Sequence, residues 1–173
     1  MLKKAILNYK TRQALKKRGH QNVVDFRNSQ RIAIICSDLF ENEENVSQII
    51  KDMRGLGKDV NLMVFCHQPK KKITELPFFT SLDVSVGGTI NSEELNTFLN
   101  QPYDFALCFD QSGHFLIDYV FSLIKTRCRV GVSNDTKYHH YELMIQKGQE
   151  NTPLSSEVLR YLKMIQNHEY QPV

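Results

Sequence analysis

The spacing of apolar residues changes in a regular order along the chain. Arg31 to Cys36 holds Ile-Ala-Ile-Ile without a break, the pattern of a strand covered on both faces. Val46, Ile49, Ile50, Met53 and Leu56 then recur at helical intervals, which predicts a helix over 43–56 with one apolar face. Asn42 is its candidate N-cap, Glu43 and Glu44 complement the dipole in its first turn, and Gly57 ends it. Asp59 to Phe65 reads as the second strand. A strand–helix–strand unit of this kind builds a parallel sheet by a right-handed crossover.

The rest of the chain continues the alternation. Residues 66–80 are irregular, with Pro69, Lys70, Lys71, Lys72 and Pro77. Leu82, Val84 and Val86 alternate with polar residues, predicting a one-faced peripheral strand that Gly87 and Gly88 break. Asn91 is the expected cap of a short helix carrying Leu95, Phe98 and Leu99, with Glu94 completing a capping box. Phe105–Phe109 is a buried strand, 113–125 a helix apolar on most sides, and Cys128–Val132 a further strand. Tyr141–Ile145 reads as either a last strand or a helical turn, the strand being favoured. Thr152 and Pro153 open a C-terminal helix with Leu154, Val158, Leu162 and Ile165 on one face. The sum is an α/β fold, a three-layer Rossmann-like sandwich with a mostly parallel sheet. At its start, 2–18 reads as a basic helix with Leu2, Ala5, Ile6 and Tyr9 as its apolar stripe, stopped by Gly19 and followed by a linker to residue 30. The expected division is therefore 1–30, helix and linker, and 31–173, a single α/β domain.

Charge adds one feature to this picture. The net is +3 over 173 residues, yet residues 1–31 hold nine Lys/Arg against the single acid Asp25, leaving the remainder net acidic. No apolar run reaches the roughly 18 residues of a membrane span. Lys3 and Lys4 precede no apolar stretch, which argues against a secretory signal; a mitochondrial presequence is the weaker alternative. The cysteines, Cys36, Cys66, Cys108 and Cys128, show no C-x-x-C spacing and sit in or beside apolar strands. They read as buried free thiols of a cytoplasmic protein.

Four stretches resemble a family of small Bacteroidota proteins known only as a domain of unknown function. They are Leu76-Pro77-Phe78-Phe79, Phe98-Leu99-Asn100 with Pro102-Tyr103-Asp104, Arg129-Val130-Gly131-Val132-Ser133, and Tyr141-Glu142-Leu143-Met144-Ile145. The basic N-terminal helix is similar too. This resemblance spans nearly the whole chain and implies a bacterial protein without an assigned activity. Tyr103-Asp104-Phe105-Ala106-Leu107, followed by a helix and an Arg-Val-Gly strand, also resembles the N-terminal half of heptosyltransferase-type glycosyltransferases over about 31–135. That resemblance implies a Rossmann-like half-domain. Those enzymes hold their donor on a second domain, for which this chain has no room.

Ligands of open α/β sheets sit beyond the carboxyl ends of the strands. The candidates there are Cys36 and Asp38, Cys66 and His67, Asp110 and His114, joined by Ser37, Gln111, Ser112 and the Ser133-Asn134-Asp135 run. A thiol nucleophile needs an adjacent imidazole and a cationic setting. Cys36 or Cys66 with His67 or His114 supplies the residue types. The competing reading is packing, with polar groups at strand exits as in any α/β domain. Phosphate cradles need glycine before a helix, whereas the first strand runs into Asp38, Glu41, Glu43 and Glu44. Neither G-x-G-x-x-G nor Walker A occurs. No cofactor and no metal are expected. His139 and His140 read as a polar surface pair, and Lys70–Lys72 as a solvated loop.

Lys3, Lys4, Lys10, Arg12, Lys16, Lys17 and Arg18 form the candidate electrostatic contact. A helix docked on the acidic domain by Leu2, Ile6 and Tyr9 with its basic side solvated, or a contact with a protein partner, comes first, nucleic acid second and an anionic membrane surface third. The leading functional expectation is a non-catalytic binding or assembly module. The alternatives are a small enzyme using the Cys/His/Asp groups at the strand ends and a nucleic-acid-associated protein using the basic helix.

Overall fold

The structure, a computed structural model, describes residues 1–17, 25–38, 43–67, 76–110, 112–132, 141–145 and 154–165. Its centre is a six-stranded sheet of β1 (Arg31–Ser37), β2 (Asp59–Phe65), β3 (Phe78–Phe79), β4 (Pro102–Phe109), β5 (Lys125–Val132) and β6 (Leu143–Ile145). The order is β3-β2-β1-β4-β5-β6, and every pairing is parallel. Parallel neighbours require crossovers, and helices in those crossovers must cover the sheet. α2 (Glu43–Gly55) and α5 (Leu154–Met164) cover one face; α1 (Leu2–Lys16), α3 (Glu93–Asn100) and α4 (Phe115–Leu123) cover the other. This is the Rossmann-like three-layer sandwich that the spacing predicts.

The period of two explains why the central strands are apolar throughout. Ile32, Ile34 and Cys36 of β1 enter the core beneath α2 and α5, while Ala33 and Ile35 enter the one beneath α1, α3 and α4. In β4, Phe105, Leu107 and Phe109 take the first side and Ala106 and Cys108 the second. Strand order reverses at β1, since β2 and β3 extend to one side and β4 to β6 to the other. The crevice over the carboxyl ends of β1 and β4 is the topological switch point of such sheets.

Helix α2 ends in a Schellman cap. Gly57, at φ +76°, donates to Arg54 O and Lys58 N donates to Met53 O, satisfying carbonyls the helix leaves over. Leu56, expected on its apolar face, falls within this cap and is 46% exposed. Asn42, Thr152 and Pro153 lie outside the described residues.

Four local expectations are corrected. Leu2 and Tyr9, read as the docking stripe of α1, are 69% and 64% exposed; the buried positions are Leu7 and Thr11. Lys3 and Lys10, read as solvent-facing, donate instead into the turn before α3. Lys3 Nζ reaches Ser81 O at 2.6 Å and Val84 O at 2.5 Å, and Lys10 Nζ reaches Gly87 O. Carbonyls of a tight turn need donors, and this need selects the face of a helix with few apolar residues of its own. Secondly, 82–86 is no strand of the sheet. Val84 is buried but forms only an isolated antiparallel bridge to Ile90, and the edge strand here is Phe78–Phe79. Asp83 Oδ2 accepts from Thr80 N and Oγ1, and this local bonding turns the chain away from the ladder. Thirdly, Ser92 rather than Asn91 caps α3, its side chain accepting from Leu95 N. Fourthly, 25–30 is more than a linker. A 3-10 turn, η1 (Phe26–Asn28), buries Phe26 to 1% exposure, and Asp25 accepts from Arg27 N at 2.8 Å.

The stretches that carry the resemblances have structural work to do. Asp104 Oδ2 accepts from Gln30 N at 2.7 Å and Arg31 N at 3.1 Å, fixing where β1 begins. Tyr103 Oη donates to Phe98 O. Glu142 Oε2 accepts from Arg129 N at 2.6 Å, joining β6 to β5. At Gly131 a Cβ would fall 2.4 Å from Met144 Sδ and 2.9 Å from the Tyr141 ring. The Met144 side chain can yield, but the Tyr141 ring, tilted against Phe121 at 5.5 Å, has less freedom. Gly131→Ala is expected to cost about 1–3 kcal/mol, the usual range for overpacking, measured by urea unfolding. An unchanged midpoint would show that Tyr141 moves aside freely.

Candidate functional site

The loops leaving β1, β2 and β4 bring Asp38, Cys66, His67, Asp110 and His114 to one end of the sheet. Backbone pairing starts the arrangement: β1 and β2 run in register as far as Ser37 and Phe65, and Asp38 N then donates to Phe65 O at 2.9 Å. This sets the Asp38 carboxylate beside the exit of β2. Its Oδ2 accepts from His67 N at 2.9 Å, and its Oδ1 lies 2.5 Å from His67 Nδ1. The Cys66 thiol bonds the same carboxylate. The Asp38 side chain is 7% exposed and that of His67 22%. Burial alone would raise the Asp38 pKa, but the bonds from His67 and Cys66 outweigh it and hold the carboxyl below its ordinary value. Asp38 is thus an ionised, buried acceptor.

At the exit of β4, Asp110 closes a turn onto the start of α4. Its Oδ1 accepts from Ser112 N at 2.9 Å and Ser112 Oγ at 2.6 Å, and its Oδ2 accepts from His114 N at 3.3 Å. Gly113 takes φ +61° between them. His114 is the N-cap of α4, and its Nδ1 accepts from Leu116 N at 3.3 Å. The imidazole lies between two phenyl rings, stacked on Phe65 at 4.7 Å and on Phe115 at 4.8 Å. It meets His67 edge-on at 5.3 Å. Burial and the adjacent His67 lower the His114 pKa, Lys4 of α1 acts in the same sense, and Asp110 and Asp118 oppose them.

The lowered His114 value makes stability depend on pH. Between the folded value and the ordinary histidine value of about 6.5, the unfolded chain binds more protons than the folded one. Stability contributed by neutral His114 is therefore present above that interval and lost as pH falls through it. His114→Asn keeps a cap acceptor without a titrating ring. The stability of the parent relative to this variant is expected to fall from about pH 7.5 to about 5.5, followed by urea unfolding. A difference independent of pH would show that His114 does not titrate differently in the two states.

Not every sequence candidate joins this cluster. Cys36 lies in the core under α2 and α5, on the other side of the sheet from Cys108. Burial pushes the Cys108 thiol well above its ordinary value, and burial with Glu142 nearby pushes Cys128 up to about 12. Both are poor nucleophiles. Gln111, Ser133–Asp135, His139, His140, Lys70–Lys72 and Arg18 lie outside the described residues. Of the expected electrostatic contacts, Lys3 and Lys10 are engaged with domain carbonyls, while Lys4, Arg12, Lys16 and Lys17 are exposed. The sequence reading missed Phe65 and Phe115, the two rings that enclose His114. Their only sequence signal is an aromatic residue close to each candidate histidine.

Among the described residues no group of three or more His, Cys, Asp or Glu side chains is arranged to hold a metal ion. None of the described helices is long and apolar enough to cross a membrane. A separate open cleft of about 1050 Å³ follows the outer edge of β2 between α2 and α3. It is lined by Arg54, Leu62, Leu76, Glu94 and Phe98 among others, with no imidazole or thiol. Volume points to the cleft and chemistry to the strand ends. A hydrogen-bonded pair of imidazoles beside a switch point, with the His114 pKa lowered by burial, is the more specific sign.

Comparison with curated proteins gave no match, and neither did comparison with solved structures. The model of a family of unknown function, DUF6913, matches residues 3–165. That match takes in both the basic helix and the sheet whose exits carry the histidine cluster, and the chain belongs to this family.

Proposed function

We propose that the chain is a cytoplasmic, non-catalytic binding domain that takes a small polar molecule over the carboxyl ends of β1, β2 and β4. His67 is its principal recognition group. The observation that carries this reading is the Asp38 carboxylate, which engages both the backbone N–H and Nδ1 of His67. A residue held at both its backbone and its ring presents the remaining ring nitrogen in one orientation, and such preorganisation lowers the entropy cost of binding.

A second reading is favoured by the same pair. A buried carboxylate on Nδ1 is how a general base is oriented, so a small enzyme using Asp38 and His67 is the alternative. The Ser112 hydroxyl donates to Asp110 rather than to His67.

Screening small polar metabolites by ligand-observed NMR tests the proposal. Hits are expected to shift the His67 ring resonances and to bind at least about tenfold more weakly to His67→Ala, roughly 1.4 kcal/mol. Hits that map to the cleft along β2 would overturn it. Turnover of a hit, lost in His67→Ala and Asp38→Asn, would replace it with the enzyme reading.

A further inference from the structure

The two imidazoles are bonded in opposite senses. His67 Nδ1 faces Asp38 Oδ1 at 2.5 Å. An ionised carboxylate only accepts, so His67 Nδ1 carries a proton, and in the neutral ring Nε2 then carries the lone pair. His114 Nδ1 receives the Leu116 N–H at 3.3 Å. A backbone N–H only donates, so this nitrogen carries the lone pair and Nε2 carries the ring proton. Neutral His114 therefore offers a donor where neutral His67 offers an acceptor. The rings meet edge-on with centres 5.3 Å apart. Phe65 braces both, packing edge-on to His67 at 4.6 Å and stacking on His114 at 4.7 Å.

Resting on the binding reading above, we propose that His67 and His114 act together as an acceptor–donor clamp for a ligand with a hydroxyl or amine next to a carbonyl. His67 Nε2 accepts from the ligand's O–H or N–H, and His114 Nε2–H donates to its carbonyl oxygen. Neither imidazole alone distinguishes such a ligand from a simple alcohol or ketone. A site with opposite tautomers disfavours a molecule that lacks either function, because one ring nitrogen that the bound ligand shields from water is then left unmatched. The aromatic walls also set its character. Phe65 and Phe115 both stack on His114, and the burial they help to impose disfavours a charged ring there, so the donor is a neutral N–H suited to a carbonyl rather than an imidazolium suited to a phosphate. The same pattern, a neutral histidine donating to a carbonyl beside a separate base, occurs where enzymes polarise carbonyl groups.

Two measurements on the full-length protein test the clamp. Long-range ¹H–¹⁵N correlation spectra at about pH 7.5, above the ordinary histidine range, report the tautomer of each ring directly. The expected result is protonation on Nδ1 for His67 and on Nε2 for His114. Asp38→Asn is expected to weaken the preference at His67 and leave His114 unchanged. Titration with hydroxyacetone is then expected to shift both sets of ring resonances, with acetone and propan-1-ol binding at least about tenfold more weakly. Equal tautomers at the two rings, or equal affinity for the three probes, would overturn the clamp while any small-molecule contact at His67 keeps the broader binding reading. If neither the probes nor the metabolite screen perturbs His67, both fall together.

Discussion

Phe105→Ala is expected to lose about 3–5 kcal/mol of unfolding free energy, the usual range for truncating a buried phenylalanine. Phe105 is 0% exposed and lies in β4 between two paired neighbours, Ile32 of β1 and Cys128 of β5. Its ring points into the core beneath α2 and α5 and meets Phe26 edge-on at 5.7 Å. Parallel strands on both sides leave the backbone little freedom to collapse into the space, so the cavity term adds to the lost transfer energy. Total stabilities of domains run to about 5–15 kcal/mol, so the variant would be marginal. Chemical unfolding monitored by circular dichroism checks it. A loss below about 1.5 kcal/mol, the range of volume-conserving swaps, would mean that the site repacks.

Lys58→Ala is expected to cost roughly 2–4 kcal/mol through a different mechanism. Lys58 is 9% exposed, and its ammonium donates to Phe26 O at 2.8 Å, Arg27 O at 3.0 Å and Ser29 O at 2.7 Å. Three donors thus meet three carbonyls, and the charge also lies 5.0 Å from the centre of the Phe26 ring. Burial lowers the Lys58 pKa, with Asp104 and Asp25 opposing; the carbonyl cage is what makes the charged form tolerable. Removing the ammonium takes the lysine donor from Arg27 O and Ser29 O in a nearly closed space, while Phe26 O keeps the Ser29 hydroxyl at 2.7 Å. Lys58→Met retains the stem but not the donors, so it is expected to lose nearly as much as the alanine variant. Full retention of stability in Lys58→Met would show that packing of the stem, not the carbonyl cage, is what matters. Because Phe26 touches both Phe105 and Lys58, the two substitutions are coupled. Their double variant is expected to lose less than the two single losses combined.

The histidine cluster was partly legible from residue order. Asp38, Cys66, His67, Asp110 and His114 all follow apolar runs, and in a parallel sheet such runs end on the same side. That argument places them at one edge of the sheet. It does not say which of them touch. Cys36 satisfies it as well as Asp38 does, yet lies within β1 in the core beneath α2 and α5, whereas Asp38 falls one residue past the end of β1, where the pleat no longer fixes its side and its carboxylate reaches His67. The opposite bonding of the two imidazoles depends on Asp38 reaching across from β1 and on where α4 begins, and neither contact has a local sequence signal.

The same division holds across the chain. The sequence by itself determined the alternation of strands and helices, the double-sided burial of β1 and β4, the stop at Gly57 and the absence of a glycine-rich phosphate loop after β1. Each follows from local periodicity, turn chemistry or residue identity. Only the tertiary structure decided which face of α1 is buried, that Lys3, Lys10 and Lys58 act as internal donors, that 82–86 is a turn and that His67 meets His114. These depend on which unpaired carbonyls and rings come within a few ångströms across distant parts of the chain. A lysine reads as solvent-facing until a cage of carbonyls is seen to close around it.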